Sequence, residues 1–234
     1  MLNLIIVLTM FFLLVFSTFL VVDLPFLTFL FANIPQGVNL YYSDSIVALG
    51  TFQGSLQIPV IILSSLLLNP RLNFIFICTY YAIGFYGIPI FYSGGGSQYL
   101  GQPTIGYLFS FLPATILLSK FAWKDHNYKK YLLNTRYIFF LSFMTLLFIH
   151  LIGILTAFFI LGNNSRFLNI FQAYFYIPFL SQILLAALMC IIASNLNNLK
   201  FNMLTRYKNF METALKKSTT RRRLAKKTNI KRTT

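Results

Sequence analysis

Charged side chains are scarce in this chain of 234 residues, because Asp, Glu, Lys and Arg together make up only 10% of it. A soluble domain carries about 25%, so the shortage argues against one. Acidic residues are the rarer charged type, with 4 Asp and Glu against 19 Lys and Arg, and the chain has only 2 His and 2 Cys. The sequence has no acid/base pair at usable spacing, no metal-ligand pattern and no G-x-x-x-x-G-K-[ST] loop. We therefore expect no enzyme, no metal and no cofactor, with Cys78 and Cys190 as buried thiols.

Apolar surface is what the chain has in excess, with 57% hydrophobic residues, 27 Phe and a mean hydropathy of +0.71. These values predict an all-α polytopic membrane protein, because backbone groups in lipid must be satisfied within the segment. Residues 24–34 are too short to span and are predicted to be re-entrant or interfacial. The first span has no cleavage signal and is expected to be retained. Six segments are predicted to span: 4–22, 48–68, 72–91, 105–122, 137–161 and 174–197.

The net charge of +15 is unevenly distributed. Twelve of the 19 basic residues lie from Lys200 onward and five lie in 120–136. The positive-inside rule then places both termini on the cytoplasmic or stromal side. We expect a six-helix domain over 1–198 and a basic, disordered tail over 199–234. The tail could bind anionic headgroups or nucleic acid, but a topology anchor is the favoured interpretation.

Neutral polar features converge on the opposite, outer face. They are Gln57 at the outer end of the second span, the glycine-rich segment 87–108, and Gln182 in the last span. Amide groups with glycine-shaped backbone and aromatic walls are typical of a pocket for a neutral polar group such as a urea. The alternative is a capped loop with satisfied glutamines. The aromatic walls would come from Phe91, Tyr92, Tyr99 and Tyr107.

Three motifs carry a family resemblance. "SLQIPVIILSSLLLNPRLN" is similar to T-L-Q … L-L-L-G-P-R-x-G, and "YYAIGFYGIPIF" to Y-L-x-x-G-x-x-G-x-P-x-F. "GGG–Y–P–GYLFSFLPA" is similar to G-G-G … Y … P-x-x-G-Y-L-x-G-F-x-P-A. In this order they resemble the BioY family, the biotin-binding membrane subunits (S components) of energy-coupling-factor transporters, in its cyanobacterial and plastid variant. The resemblance implies a six-helix S-component-like bundle with an outward-facing ligand site.

The resemblance also implies site residues. Arg71 matches the family motif but is predicted at the inner face, where an anchor or docking role is favoured over ligand contact. By motif position and aromatic character, the ligand-binding residues are predicted to be Gln57, Gly94, Gly95, Gly96, Tyr99, Pro103, Gly106, Tyr107 and Gln182.

The chain departs from the family pattern at its last span. Gln182 stands at the position of an Asp and Leu185 at that of a Lys, which removes a natural partner for a carboxylate. The first span lacks Ala and Gly, so close packing on a coupling subunit would use Thr9, Ser17 or Thr18. His150, in the middle of a span, is predicted to be a neutral imidazole bonded to a neighbouring helix rather than a functional group.

The leading hypothesis is a biotin transporter subunit that captures biotin from the outer side. Its partners would be the lipid bilayer and either a coupling subunit with ATPases or further copies of itself, and nucleic acid is not expected. The alternative is a membrane assembly or anchoring protein that has lost biotin binding, marked by an outer cavity filled by Phe91 or Tyr99. A composition rich in Phe, Ile, Asn, Lys and Tyr favours a plastid membrane, with a bacterial plasma membrane as the alternative.

Overall fold

A computed structural model describes residues 2–29, 38–43, 47–91, 94–123 and 135–230. The chain divides into two compact units, residues 1–194 and 195–234. The helices are α1 (Leu2–Phe19), α2 (Gln57–Leu67), α3 (Pro70–Phe85), α4 (Ile105–Ala122), α5 (Thr135–Leu161), α6 (Ser165–Phe171) and α7 (Phe179–Ile230). A 3₁₀ turn (Ser97–Gly101) precedes α4, and a π turn (Gln172–Tyr176) follows α6.

Local sequence sets several of these helix boundaries. The Asn69 side chain accepts a hydrogen bond from the Leu72 backbone at 2.9 Å, and Pro70 occupies the first helical position of α3. Both features favour a helix start, because the cap satisfies an amide and proline has none to satisfy. Asn164 caps α6 in the same way through the Phe167 amide. Asparagine thus begins both helices.

A three-stranded antiparallel sheet lies between α1 and α2. Its strands are β1 (Val21–Phe29), β2 (Val38–Ser43) and β3 (Val47–Ser55), in the order β1-β3-β2. Pro25 pairs with Thr51 on the edge strand β1, where a missing amide is tolerated. The predicted helical bundle is confirmed as the fold, and the sheet is an addition that the sequence reading did not anticipate.

The predicted spans differ from the helices in their boundaries. The second span was expected over 48–68, but its first part is β3, whose Gly50 and Gly54 disfavour a helix. The third was expected to reach residue 91, but α3 ends at Phe85. The segment 24–34 is strand up to Phe29, and its remainder lies outside the described residues. Among the described residues, three helical stretches are long and apolar enough to cross a membrane, namely 105–122, 135–161 and 165–213, with shorter apolar helices at 4–19 and 57–67.

Hydrogen bonds between helices show that sequence neighbours run antiparallel. We call the end of the bundle that holds the starts of α2, α4 and α7 the outer end, and the opposite end the inner end. At the outer end the pairs are Thr18–Gln57, Gln57–Tyr80, Tyr81–Leu108 and His150–Gln182. At the inner end they are Ser64–Asn73, Asn73–Ser119 and Cys190–Ser142. Helix α2 is buried along its whole length and forms the centre of the core.

Asn73 ties three helices together at the inner end. Its amide nitrogen donates to the Ser119 hydroxyl at 3.0 Å and to the Thr115 carbonyl at 3.3 Å, both on α4. Its carbonyl oxygen accepts from Ser64 on α2 at 3.4 Å. The side chain is fully buried, so these bonds compensate for the loss of water.

The basic tail, expected to be disordered, is helical in backbone as far as Ile230. No Gly or Pro follows Pro178, and Lys, Arg, Leu and Ala are good helix formers. Lys208 and Glu212 add an exposed ion pair one turn apart at 4.0 Å. The boundary at residue 198 stays a prediction, and residues 231–234 lie outside the described part.

Replacing Asn73 by alanine should destabilise the bundle by about 2 kcal/mol, because buried groups on α2 and α4 lose their partner. Thermal unfolding of the protein in detergent should show a lower melting temperature for Asn73→Ala. Thr79→Ala is the matched control, since exposed Thr79 on the same helix bonds only to its own Ile75 carbonyl. Equal melting temperatures for the two variants would contradict the role assigned to Asn73.

Candidate functional site

Gln57 is the centre of a first polar cluster at the outer end. It stands at the first position of α2, with 9% of its surface exposed. Its amide nitrogen donates to the Tyr80 hydroxyl at 2.8 Å and to the Thr18 hydroxyl at 2.9 Å. Tyr80 in turn donates to the Ile90 carbonyl at 3.1 Å. This chain of bonds joins α1, α2, α3 and the segment that follows α3, and every member of it is neutral.

Two aromatic rings cover this cluster. Phe91 is 2% exposed, with its ring centroid 5.3 Å from that of Tyr80 and 5.0 Å from that of Tyr99. The ring centroid of Phe85 lies 5.1 Å from that of Phe91. Tyr99, from the 3₁₀ turn, is 5% exposed. The Tyr80 side of the cluster is therefore packed against aromatic side chains in this conformation.

The triple-glycine segment folds back onto the end of α3. The Gly96 amide donates to the Gly84 carbonyl at 2.8 Å, with a φ of 84° that favours glycine. Gly94 exchanges two backbone hydrogen bonds with Phe91. A Cβ on Gly95 would collide with the backbone carbonyl of Ile88. The absence of side chains is what lets this segment hold Phe91 over the Gln57 cluster.

Gln182 belongs to a second polar cluster, on α4, α5 and α7. Its carbonyl oxygen accepts a hydrogen bond from His150 Nε2 at 2.5 Å. The His150 ring lies edge-on to the Tyr107 ring, with centroids 5.7 Å apart. His150 is 1% exposed and Tyr107 is 8% exposed. The predicted bond from His150 to a neighbouring helix is confirmed, and its partner is the predicted ligand residue Gln182.

Small residues allow α4 and α5 to approach closely beside this cluster. A Cβ on Gly106 would collide with the Thr156 side chain, and one on Gly153 with the Tyr107 ring at 2.5 Å. The π turn that follows α6 packs against the cluster. The ring centroid of Tyr174 lies 6.0 Å from that of Tyr107, and the ring centroid of Phe175 lies 5.3 Å from that of His150. π-helical turns occur frequently at functional sites.

The structure brings the predicted site residues to one end of the bundle but into two clusters. Gln57, the glycine segment and Tyr99 form the first, whereas Gly106, Tyr107 and Gln182 belong to the second. Pro103 is half-buried between the 3₁₀ turn and α4. Tyr92 lies outside the described residues. Arg71 is exposed at the start of α3, at the inner end, which matches the predicted anchor position rather than ligand contact.

Three contributors were missed from the sequence. Thr18 and Tyr80 complete the Gln57 cluster, and Thr156 packs against Gly106. For Thr18 and Tyr80, the signal available in the sequence was a polar residue on each span at the depth of Gln57. A cleft of about 330 Å³ between α4 and α5 lies toward the inner end, away from both clusters, and its lining is almost wholly apolar. In the described part of the chain, no group of His, Cys, Asp or Glu could hold a metal ion.

Gly95→Ala should open the glycine segment, because the added methyl group meets backbone that cannot move aside cheaply. Overpacking of this kind costs about 1–3 kcal/mol. Limited proteolysis should cut the segment faster in this variant than in the wild type. Gly101→Ala is the matched control, since nothing lies within 4 Å of a Cβ there. Equal cleavage of the two variants would show that the close approach at Gly95 does not hold the segment.

The chain is similar to known proteins along most of its length. A profile of the BioY family matches residues 2–201. A probable biotin transporter BioY of Pyrococcus horikoshii is 36% identical over 124 residues, which are 52% of this chain and 68% of that protein. The biotin transporter BioY of Thermotoga maritima is 32% identical over 87 residues, 37% of this chain and 52% of that protein. The probable biotin transporter BioY of Lysinibacillus sphaericus is 41% identical over 64 residues, 27% and 33% of the two chains.

A solved structure shares the fold. The biotin S component of an energy-coupling-factor ABC transporter superposes with a TM-score of 0.59 over 84% of this chain and 90% of that one, at 17% identity. At this identity the likeness establishes the fold alone. The BioY family profile, which matches residues 2–201, establishes more than the fold, namely membership of the family. The chain belongs to the BioY family.

Proposed function

We propose that this chain is a biotin-binding membrane subunit that takes up biotin from the side of its outer end. The observation that carries the proposal is the neutral Gln57 cluster beneath the glycine segment. Uncharged hydroxyls and an amide line this end of the bundle, as is typical of a pocket for a polar ligand, and an aromatic cover excludes water from it. Membership of the BioY family and the biotin-related relatives support the same substrate.

The described conformation is interpreted as closed. Phe91 packs against Tyr80 and Tyr99, and the segment that carries Phe91 is joined to α3 through backbone hydrogen bonds of the glycines. Few such bonds need to break for the segment to swing out, so opening is inexpensive compared with moving a helix. Biotin would enter as the two rings leave.

Transport needs partners that this chain does not supply, because it has no ATP-binding loop. We propose a coupling subunit with ATPases, as the S-component neighbour suggests, with self-association as the alternative. Ser17 and Thr18 are buried and bond within their own bundle, so neither is available for close packing on a coupling subunit. Exposed Thr9 is the remaining small residue on α1. Docking through α1 would therefore rest on large apolar side chains.

The site residues predicted by family position are proposed to act at two depths. Gln57, Gly94, Gly95, Gly96 and Tyr99 form the first contact zone, and Pro103, Gly106, Tyr107 and Gln182 form the second. Arg71 is proposed as an inner-face anchor. A plastid membrane is the proposed location, with a bacterial plasma membrane as the alternative, on the basis of the residue composition.

A second function is favoured by one observation. Phe91 packs against Tyr80, the hydrogen-bond partner of Gln57, and an outer end filled by this ring is the feature expected of an assembly or anchoring protein that has lost binding. The two functions differ in whether the aromatic cover opens. A direct binding measurement on folded protein separates them.

Purified protein in lipid nanodiscs should bind radiolabelled biotin with saturation. Gln57→Ala should weaken binding about tenfold, because a buried hydrogen-bonding amide is worth about 1–2 kcal/mol. Ser65→Ala, which alters a buried hydroxyl two turns further along α2, should bind like the wild type. Absence of binding by well-folded wild-type protein would support the anchoring function instead.

A further inference from the structure

The proton on His150 can be assigned from its partner. The Gln182 amide is oriented with its carbonyl oxygen toward Nε2, and in this orientation Nε2 carries the hydrogen, because a carbonyl oxygen can only accept. An imidazolium here would be a buried charge packed against the rings of Phe175 and Phe179. The ring is therefore neutral, and Nδ1 is an acceptor. Nδ1 is buried and has no hydrogen-bond partner among the described residues.

Tyr107 carries the complementary group, a hydroxyl that can donate a hydrogen bond. Its hydroxyl is also buried without a partner among the described residues. The two rings are in edge contact, yet the hydroxyl of Tyr107 does not donate to Nδ1 of His150. Buried polar groups without partners are rare, because each loses its hydrogen bonds to water without a replacement. An available donor and an available acceptor on neighbouring side chains indicate a third group that bonds to both.

We propose that His150 and Tyr107 recognise the ureido group of the ligand, an assignment that rests on the proposed biotin binding. Nδ1 of His150 accepts a hydrogen bond from a ureido N–H, and the Tyr107 hydroxyl donates to the ureido carbonyl. A cyclic urea carries this donor beside this acceptor, so both groups are satisfied by one end of the ligand. Gln182 is then a positioning residue, which acts by holding the His150 ring in the accepting tautomer.

The same geometry excludes the carboxylate end of the ligand from this cluster. A carboxylate is an acceptor only and would face the lone pair of Nδ1. Leu185 offers no cation to compensate for its charge, three positions along α7 from Gln182. The ring system thus lies deep, against His150 and Tyr107, and the carboxylate tail lies toward the outer face.

The π turn provides the route to this pair. Tyr174 lies against Tyr107, and Phe175 lies against His150, on a turn in which the regular helical hydrogen bonding is already interrupted. Displacing these two rings would open the side of the pair that they contact. The deep cluster therefore has its own aromatic cover, separate from Phe91 and Tyr99.

Two tyrosine variants on adjacent helices test the assignment with opposite signatures. Tyr107→Phe removes an unpartnered hydroxyl, so the ligand-free protein should melt at the same temperature or higher, while Kd for biotin rises about tenfold. Tyr81→Phe removes a hydroxyl that donates to the Leu108 carbonyl at 2.5 Å. That variant should melt at a lower temperature and keep the wild-type Kd.

Ligand analogues identify which end of biotin is contacted. For biotinamide, in which the carboxylate is neutral, Tyr107→Phe should weaken binding by the same factor as for biotin. For the thiourea analogue, whose sulfur is a weak acceptor, the ratio of Kd between Tyr107→Phe and the wild type should fall toward one. His150→Leu should weaken binding by about tenfold or more, and His150→Asn, which restores an acceptor near the position of Nδ1, should recover part of the loss.

Failure of this assignment is distinguishable from failure of the proposed function. If the wild type binds no biotin, the proposed function and the assignment both fall. If the wild type binds and Tyr107→Phe binds equally well, only the assignment falls. Destabilisation of ligand-free Tyr107→Phe without a change in Kd would show that the pair holds a structural water. A loss of affinity in Tyr107→Phe that occurs with biotin but not with biotinamide would place the carboxylate at this pair. Either outcome overturns the proposal.

Discussion

The structure depends on how a nearly uncharged interior satisfies its polar groups. Charge is absent from the described core, so helix register is set by a small number of neutral hydrogen bonds between helices. Gln57 joins α1, α2 and α3, Asn73 joins α2, α3 and α4, and Gln182 joins α5 to α7. Three amide side chains thus connect most of the bundle. An amide suits this task because it donates and accepts without the desolvation cost of an ion.

The two ends of the bundle use this chemistry differently. At the inner end the Asn73 amide is bonded at both its nitrogen and its oxygen, and the cluster is complete in itself. At the outer end two groups on neighbouring rings are buried with unmet hydrogen-bonding capacity. Complete satisfaction is expected of a structural cluster, whereas an incomplete one is expected where a ligand supplies the missing partner. The asymmetry supports the proposal that the ligand binds at the outer end, where glycines and the π turn also interrupt regular structure.

How much could be predicted from the sequence depended on the range of the interaction involved. Hydropathy and charge are local, and they identified α4 and α5 almost to the residue and placed Arg71 at the inner end. Strand β3 was predicted as helix, because its apolar residues satisfy a hydropathy window while pairing with Val21–Phe29 is a long-range property. Motif position brought Gln57 and Gln182 to one end but did not reveal that each is already bonded within the protein. The partners Thr18, Tyr80 and Thr156 depend on how helices face each other, which no local pattern records.

The departures from the family pattern all suit an interior that is neutral and joined by hydrogen bonds. Asn69 and Asn73 stand where the family has glycine, and each makes a hydrogen bond that glycine could not: one caps α3 and the other joins it to α4. At the last helix, Gln182 and Leu185 replace a charged pair, and the interior beside them holds a neutral imidazole. A lone Lys or Asp left there would be a buried charge without a partner, which costs more than the loss of the pair. An amide in place of the Asp and a leucine in place of the Lys keep the cluster neutral, which supports the proposal that it binds the uncharged end of the ligand.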